Sequence, residues 1–252
     1  MKKIISIGIG LLVFTAGVCA EDKTNWTGFY GSAMLGRDWG NINEGNGLLD
    51  YTDFANDTYK ISNGIGASMK GWSGNIKLGY NKQIDSNLIG IELGGTWQNA
   101  KFKNEVTDTY QQDYPFSDPA YPDSGVTTAN TKINAYGTIA PKLGHIFNDK
   151  TLVYAYGGAA IGRIKRTIYD NDNWFDVGTI ISDTQTKVGY VLGFGAEYKL
   201  NDKWSLRGNY EYVDFGNINF NFYQNTRGYA STMSQSNSIN LSNLSAGISY
   251  TF

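Results

Sequence analysis

The last ten residues, NLSAGISYTF, alternate throughout: Leu244, Ala246, Ile248, Tyr250 and Phe252 are apolar or aromatic, with Asn243, Ser245, Gly247, Ser249 and Thr251 between them. A period of two is the mark of a strand with one greasy face. The same pattern returns in GWSGNIKLGYN (71–81), KVGYVLGFGAEYKL (187–200) and WSLRGNYEY (204–212), and more weakly over 26–36, 88–97, 133–147 and 151–164. Eight amphipathic segments result, an even number. In the first of them Phe29 and Tyr30 compete for the greasy face.

The connections alternate in length. Residues 83–87, 148–150 and 201–203 are short and rich in turn formers, whereas 38–70, 101–131, 165–185 and 217–236 are long and polar. This predicts an all-β fold: an eight-stranded antiparallel up-and-down transmembrane β-barrel with short periplasmic turns and long extracellular loops. A sheet in lipid must close, because its edge hydrogen bonds have no other partner. Segment eight then pairs with segment one, and Tyr250 and Phe252 fall at the periplasmic rim, where rings sit half in lipid. They are the expected C-terminal assembly and rim signal. A water-soluble barrel with its apolar face inward is the alternative, and the aromatic terminus and the loop alternation weigh against it.

Residues 1–20 read as a cleaved signal peptide: two lysines, an apolar run over 4–18, and Val18-Cys19-Ala20 before Glu21. Lipidation at Cys19 is disfavoured by the branched Val18. The domain at 21–252 then carries (21 − 2) − 23 = −4 charges and no cysteine. No basic footprint for nucleic acid remains.

WTGFYGSAMLG (26–36), GWSGNIKLGYN (71–81), LIGIE (88–92), YGTIAPKLGHIF (136–147), YAYGGAAIG (154–162), GFGAEYKLNDKWSLRGNYEYVDFGN (193–217) and LSAGISYTF (244–252) resemble the small eight-stranded outer-membrane barrels, the OmpA-like, porin-family surface antigens. The resemblance implies a surface-exposed Gram-negative outer-membrane protein that is structural, antigenic or weakly pore-forming, usually without catalytic residues. Ala140 and Pro141 depart from the pattern, standing where such strands more often carry glycine and a base. Pro141 lacks a ladder donor, so a bulge is expected there.

Opposite the greasy face the strands carry Lys77, Glu92, Lys142, Glu197, Arg207 and Glu211, an expected charge network inside a lumen that side chains can fill. It reads as a salt-bridged plug or as a narrow ion path, with Gly189, Gly193 and Gly195 leaving free space. The one histidine, His145, lies near the periplasmic end of its strand on the outward face. With no second histidine and no cysteine, no catalytic residue is expected, and no metal site and no cofactor. Asp170, Asp172 and Asp176 fail the calcium-loop spacing, and haem has no axial candidate beyond His145.

Three functions follow. The first is a non-enzymatic outer-membrane barrel that anchors and displays surface loops. The second is a narrow passive channel for ions or small solutes, and the third a lipid-modifying or proteolytic enzyme. Expected partners are outer-membrane lipid and lipopolysaccharide, the barrel-assembly machinery, and a host or surface partner met through the loops.

Overall fold

The computed structural model describes residues 25–51, 58–61, 67–109, 124–171, 179–226 and 229–252. The expected signal peptide lies outside them. The strands are β1 (Gly28–Tyr51), β2 (Thr58–Ile61), β3 (Ala67–Ile84), β4 (Asn87–Gln98), β5 (Lys101–Thr109), β6 (Ser124–Phe147), β7 (Thr151–Asn171), β8 (Thr179–Lys199), β9 (Trp204–Thr226) and β10 (Tyr229–Thr251). Neighbours run β10-β9-β8-β7-β6-β4-β3-β1, and β10 pairs back onto β1, so the sheet closes. Outside that ring β2 pairs with the far part of β1, and β5 carries on from β4 along β6. The wall therefore has eight staves, all antiparallel.

The stagger follows from the pairing. From His145 on β6 one row of paired residues passes Val153, Ala196, Gly208, Ala246, Leu35, Gly74 and Trp97, and returns to β6 at Ala135, ten residues away (145 − 135). A stagger of this size over eight strands corresponds to a strand tilt of about 40° and a lumen narrow enough for side chains to fill. Tight turns join the staves at one end. There Asp85, Asn148 and Asp149 take φ of 53°, 49° and 56°, a conformation that Asn and Asp tolerate better than other residues with a side chain.

From the turn end up through the belt the outward residues are apolar and bare. Phe29, Leu35, Leu143, Val188 and Leu192 are all more than half exposed, while Tyr30, beside Phe29, is buried at 3%. Segment one thus turns Phe29 outward. Further from the turns the polarity inverts. On β9, Arg207, Asn209 and Glu211 are buried, but beyond Phe215 the buried residues are Ile218 and Phe220, with Asn217, Asn219 and Asn221 exposed. A bulge accompanies the change: the β9–β10 register slips between Ser238 and Asn240. Gly216 takes φ of 63° there, and its N–H donates to Asp214 Oδ1 at 2.7 Å. A second slip separates Ile133 from Tyr136 on β6, both of which are buried. The inversion has a simple cause. Where lipid ends, water surrounds the wall, and the only dry place for an apolar side chain is inside.

Two expectations need correction. Most of the described residues within 38–70, 101–131, 165–185 and 217–236 are wall, because β1, β3, β5 to β10 run far beyond the greasy belt. The bulge expected at Pro141 is absent: Ile91 pairs with Pro141 in unbroken register, and the slip on β6 falls at Ile133/Tyr136 instead. The missing N–H shows only as a gap in the β6–β7 pairs at Ala140 and Pro141, with the same register on either side.

Candidate functional site in the barrel interior

The six charged residues singled out from the sequence come from five staves: Lys77 on β3, Glu92 on β4, Lys142 on β6, Glu197 on β8, and Arg207 and Glu211 on β9. Alternation along each strand turns all of them inward, and each is at most 3% exposed. Lys77 Nζ stands 2.5 Å from Glu211 Oε2 and 3.8 Å from Glu92 Oε1. Arg207 Nη2 meets Glu92 Oε2 at 2.6 Å, and its Nη1 lies 3.7 Å from Glu197 Oε1. Lys142 closes the set, 3.2 Å from Glu197 Oε1. Three bases face three acids, so the cluster is neutral and no charge is left without a counter-ion, the condition under which burial is tolerable.

Four tyrosines complete it, and reading the chain for charge alone passes over them. Tyr30 donates to Glu92 Oε2 at 2.5 Å, Tyr136 to Glu211 Oε1 at 3.0 Å and Tyr156 to Glu211 Oε2 at 2.8 Å. Tyr154 accepts from Arg207 Nε at 2.8 Å and donates to Asn209 Oδ1 at 3.1 Å. Lys142 Nζ lies 4.7 Å and 4.3 Å from the ring centres of Tyr30 and Tyr154, within cation–π range. The signal was present as pairing: Tyr30 is opposite Gly79, Tyr154 opposite Gly195 and Tyr156 opposite Gly193. At each of these glycines an added Cβ would run into the facing tyrosine ring. The free space expected beside Gly193 and Gly195 is therefore occupied, and a Cβ at Gly189 would strike the Asp214 backbone.

Apolar tiers lie on both sides of this layer. At the turn end Leu88, Ile146 and Leu152 are buried with Trp26. Trp26 precedes β1, donates from Nε1 to Asp149 O at 3.2 Å and takes Gln83 Oε1 on its own N–H at 2.9 Å. It thus ties the ends of β3 and β6 together across the mouth, with Lys199 Nζ 5.0 Å from its ring centre. At the other end Ile42, Met69, Phe102, Ile164, Phe215 and Phe220 are among the residues that fill the lumen where the polarity has inverted.

Outside, Tyr250 packs edge-on against Trp204 at 4.9 Å and Phe252 at 5.3 Å. The Phe252 N–H donates to Phe29 O at 3.0 Å, which fixes the terminus to β1. His145 is exposed, donates from Nδ1 to Asn87 Oδ1 at 3.0 Å, and packs on Phe147 at 4.7 Å. Among the described residues no cluster of His, Cys, Asp or Glu could hold a metal. Asp172, Asp176 and the side chain of Asp170 lie outside them.

A closed antiparallel wall, apolar outside and filled with paired charge within, is a barrel built to sit in lipid. The comparisons give its family. The model of the outer membrane protein beta-barrel domain matches residues 9–252, and the chain belongs to that family of Gram-negative outer-membrane proteins. It is 28% identical over 233 residues to the 31 kDa outer-membrane immunogenic protein of Brucella melitensis, covering 87% of this chain and 89% of that one. The protein of the same description from Brucella suis matches equally. Among solved structures, the outer membrane protease OmpT of Escherichia coli superposes with a TM-score of 0.50 at 11% identity, over 89% of this chain and 97% of that one. That likeness concerns the fold alone.

Proposed function

We propose that the protein is a non-enzymatic outer-membrane scaffold, which anchors in the bilayer by its lower wall and presents the far ends of its strands and the segments between them at the cell surface. The observation that carries this reading is the filling of the lumen: a Trp26 floor, a neutral network of ion pairs and tyrosines, and a cap of Phe102, Phe215 and Phe220 with the buried Arg166 over the Phe220 ring. A passive channel needs a continuous polar path, and the floor and the cap both stand in it. The relatives in Brucella, outer-membrane proteins described as immunogenic, are in keeping with display as the role. An enzyme of this architecture would need a reactive group, and His145, the single histidine, is on the outer face with Asn87 as its partner. On this reading the signal peptide at 1–20 directs export, and Tyr250 and Phe252 are what the barrel-assembly machinery reads. The surface partner meets the segments beyond the wall.

The test is an epitope inserted between Asn171 and Thr179, in cells making the full chain. Display predicts that an antibody labels intact cells and that the extracted protein still runs as a heat-modifiable band. An epitope reached only after the outer membrane is opened, in a protein that folds, would overturn the reading.

A further inference from the structure

Just beyond the greasy belt the outer wall carries a row of lysines. Lys101 is paired with Lys132, and Lys132 with Lys165, across β5, β6 and β7. Lys70 continues the row on β3. Gly71 stands against Ala100, where an added Cβ would lie 2.5 Å from that of Ala100, so the next residues out, Lys70 and Lys101, are neighbours. All four face outward, Lys70, Lys101 and Lys165 exposed and Lys132 partly so, and Arg163 is exposed on the same face two residues from Lys165. Trp39, itself exposed, is paired with Lys70 at one end of the row.

Like charges directly opposite one another in a sheet are destabilising. Here four stand in line over about 15 Å, at a strand spacing of about 4.8 Å. Among the described residues no carboxylate makes an ion pair with any of them, nor with Arg163. Their height matters as much as their number. Lys101 is four residues past Trp97, which marks the top of the belt on β4. At about 3.3 Å per residue and a tilt of about 40° that is roughly 10 Å further out. Inside the wall at this level Ile133 and Ile164, each next to a lysine of the row, are fully buried, and on the other side of the row Arg166 and Thr131 are buried and hydrogen-bonded to each other at 3.1 Å. The row therefore sits where the wall leaves hydrocarbon, at the depth of lipid headgroups.

We propose that Lys70, Lys101, Lys132 and Lys165, with Arg163, form a binding ledge for the phosphates of an outer-leaflet glycolipid of the lipid A type. The apolar belt around Trp97 and Ile161 lies below it for the acyl chains. The site rests on the proposed orientation, with the tight turns toward the periplasm. Each phosphate bridges neighbouring lysines, so the ligand supplies a counter-charge that no described carboxylate provides. A second consequence follows: without such a lipid the row is a local strain, and neutralising it relieves the strain.

The experiment uses the mature chain refolded in neutral detergent, titrated with diphosphoryl lipid A, monophosphoryl lipid A, dephosphorylated lipid A and inorganic pyrophosphate. The proteins are wild type, K70Q/K101Q/K132Q/K165Q, the same positions changed to Arg, and K82Q/K203Q at the turn end as control. The expected order of affinity is diphosphoryl, monophosphoryl, dephosphorylated, falling as salt rises. The Gln variant binds the diphosphoryl form at least about tenfold more weakly, a difference of about 1.4 kcal/mol. The Arg variant and the turn-end control bind like wild type. The Gln variant also unfolds at a urea concentration no lower than wild type in lipid-free detergent, and should it not fold, K132Q/K165Q is measured in its place. Equal binding by wild type and Gln variant, or by phosphorylated and dephosphorylated lipid, overturns the ledge. Displacement of the lipid by equimolar pyrophosphate overturns the lipid assignment in favour of a free phosphate site. None of these results bears on whether the epitope beyond Asn171 is reached on intact cells, so this proposal and the display reading fail separately.

Discussion

Tyr156 occupies the space that any side chain at Gly193 would need: the two are paired across β7 and β8, and a Cβ at Gly193 would run into the phenol ring. The ring is in turn held by Glu211 and Asn209, its hydroxyl 2.8 Å from each. The glycine is thus a packing device, which lets a large polar ring cross the lumen without breaking the wall. Gly193→Ala should destabilise the barrel by about 1–3 kcal/mol through overpacking, and the cost should largely vanish in a Tyr156→Ala background. Urea unfolding in phospholipid vesicles, run as a double-mutant cycle, measures both. Additive effects would contradict the contact.

Arg207 touches two of the three acids and donates to Tyr154 and Ser32. Arg207→Ala removes one positive charge from a neutral buried set, and breaking a buried pair in this way costs about 3–5 kcal/mol. Arg207→Ala/Glu92→Ala restores neutrality and should recover part of that loss. A double variant weaker than the sum of the two singles would contradict the network.

Closure is open to a direct chemical test. Ser32 Oγ and Ser249 Oγ are 2.9 Å apart across the β1–β10 seam. Ser32→Cys/Ser249→Cys in a protein spanning residues 21–252, which contain no other cysteine, should form an intrachain disulfide when refolded under oxidising conditions, visible as a mobility shift lost on reduction. Persistent free thiols in a folded band would mean that the seam is open.

The floor depends on one ring from outside the strands. Trp26→Ala should leave the wall intact and lower stability by about 3–5 kcal/mol, the usual cost of removing a buried tryptophan. It should also admit a small maleimide to a cysteine placed at Leu88, which wild-type Trp26 shields. Equal labelling rates with and without Trp26 would contradict a closed floor.

Much of this fold is legible in the sequence because lipid imposes one rule on the whole lower wall. Val188, Tyr190, Leu192 and Phe194 must all face it, so the alternation survives any detail of the interior. The upper wall follows the opposite rule. In Asn217-Ile218-Asn219-Phe220-Asn221 the alternation is as regular as in the terminal strand, but its apolar members point inward. Read with the lipid rule such a stretch counts as polar loop, and the bulge at Gly216 hides the change of phase by adding one residue. The charge network is legible by residue type, since Arg207 and Glu211 share the face opposite Leu206 and Tyr210. Its tyrosines are legible only through cross-strand pairing with glycine, which needs the register, and the lysine row needs it too. Lys70, Lys101, Lys132 and Lys165 lie far apart in sequence, and only the stagger of the barrel aligns them.

A sealed lumen is the central claim, and single-channel recording tests it most directly. Mature protein, shown on the same preparation to be a heat-modifiable band and to insert into planar bilayers, should give no unitary current steps at either polarity. Steady, reproducible steps from the wild-type chain would contradict the plug and make the interior a path.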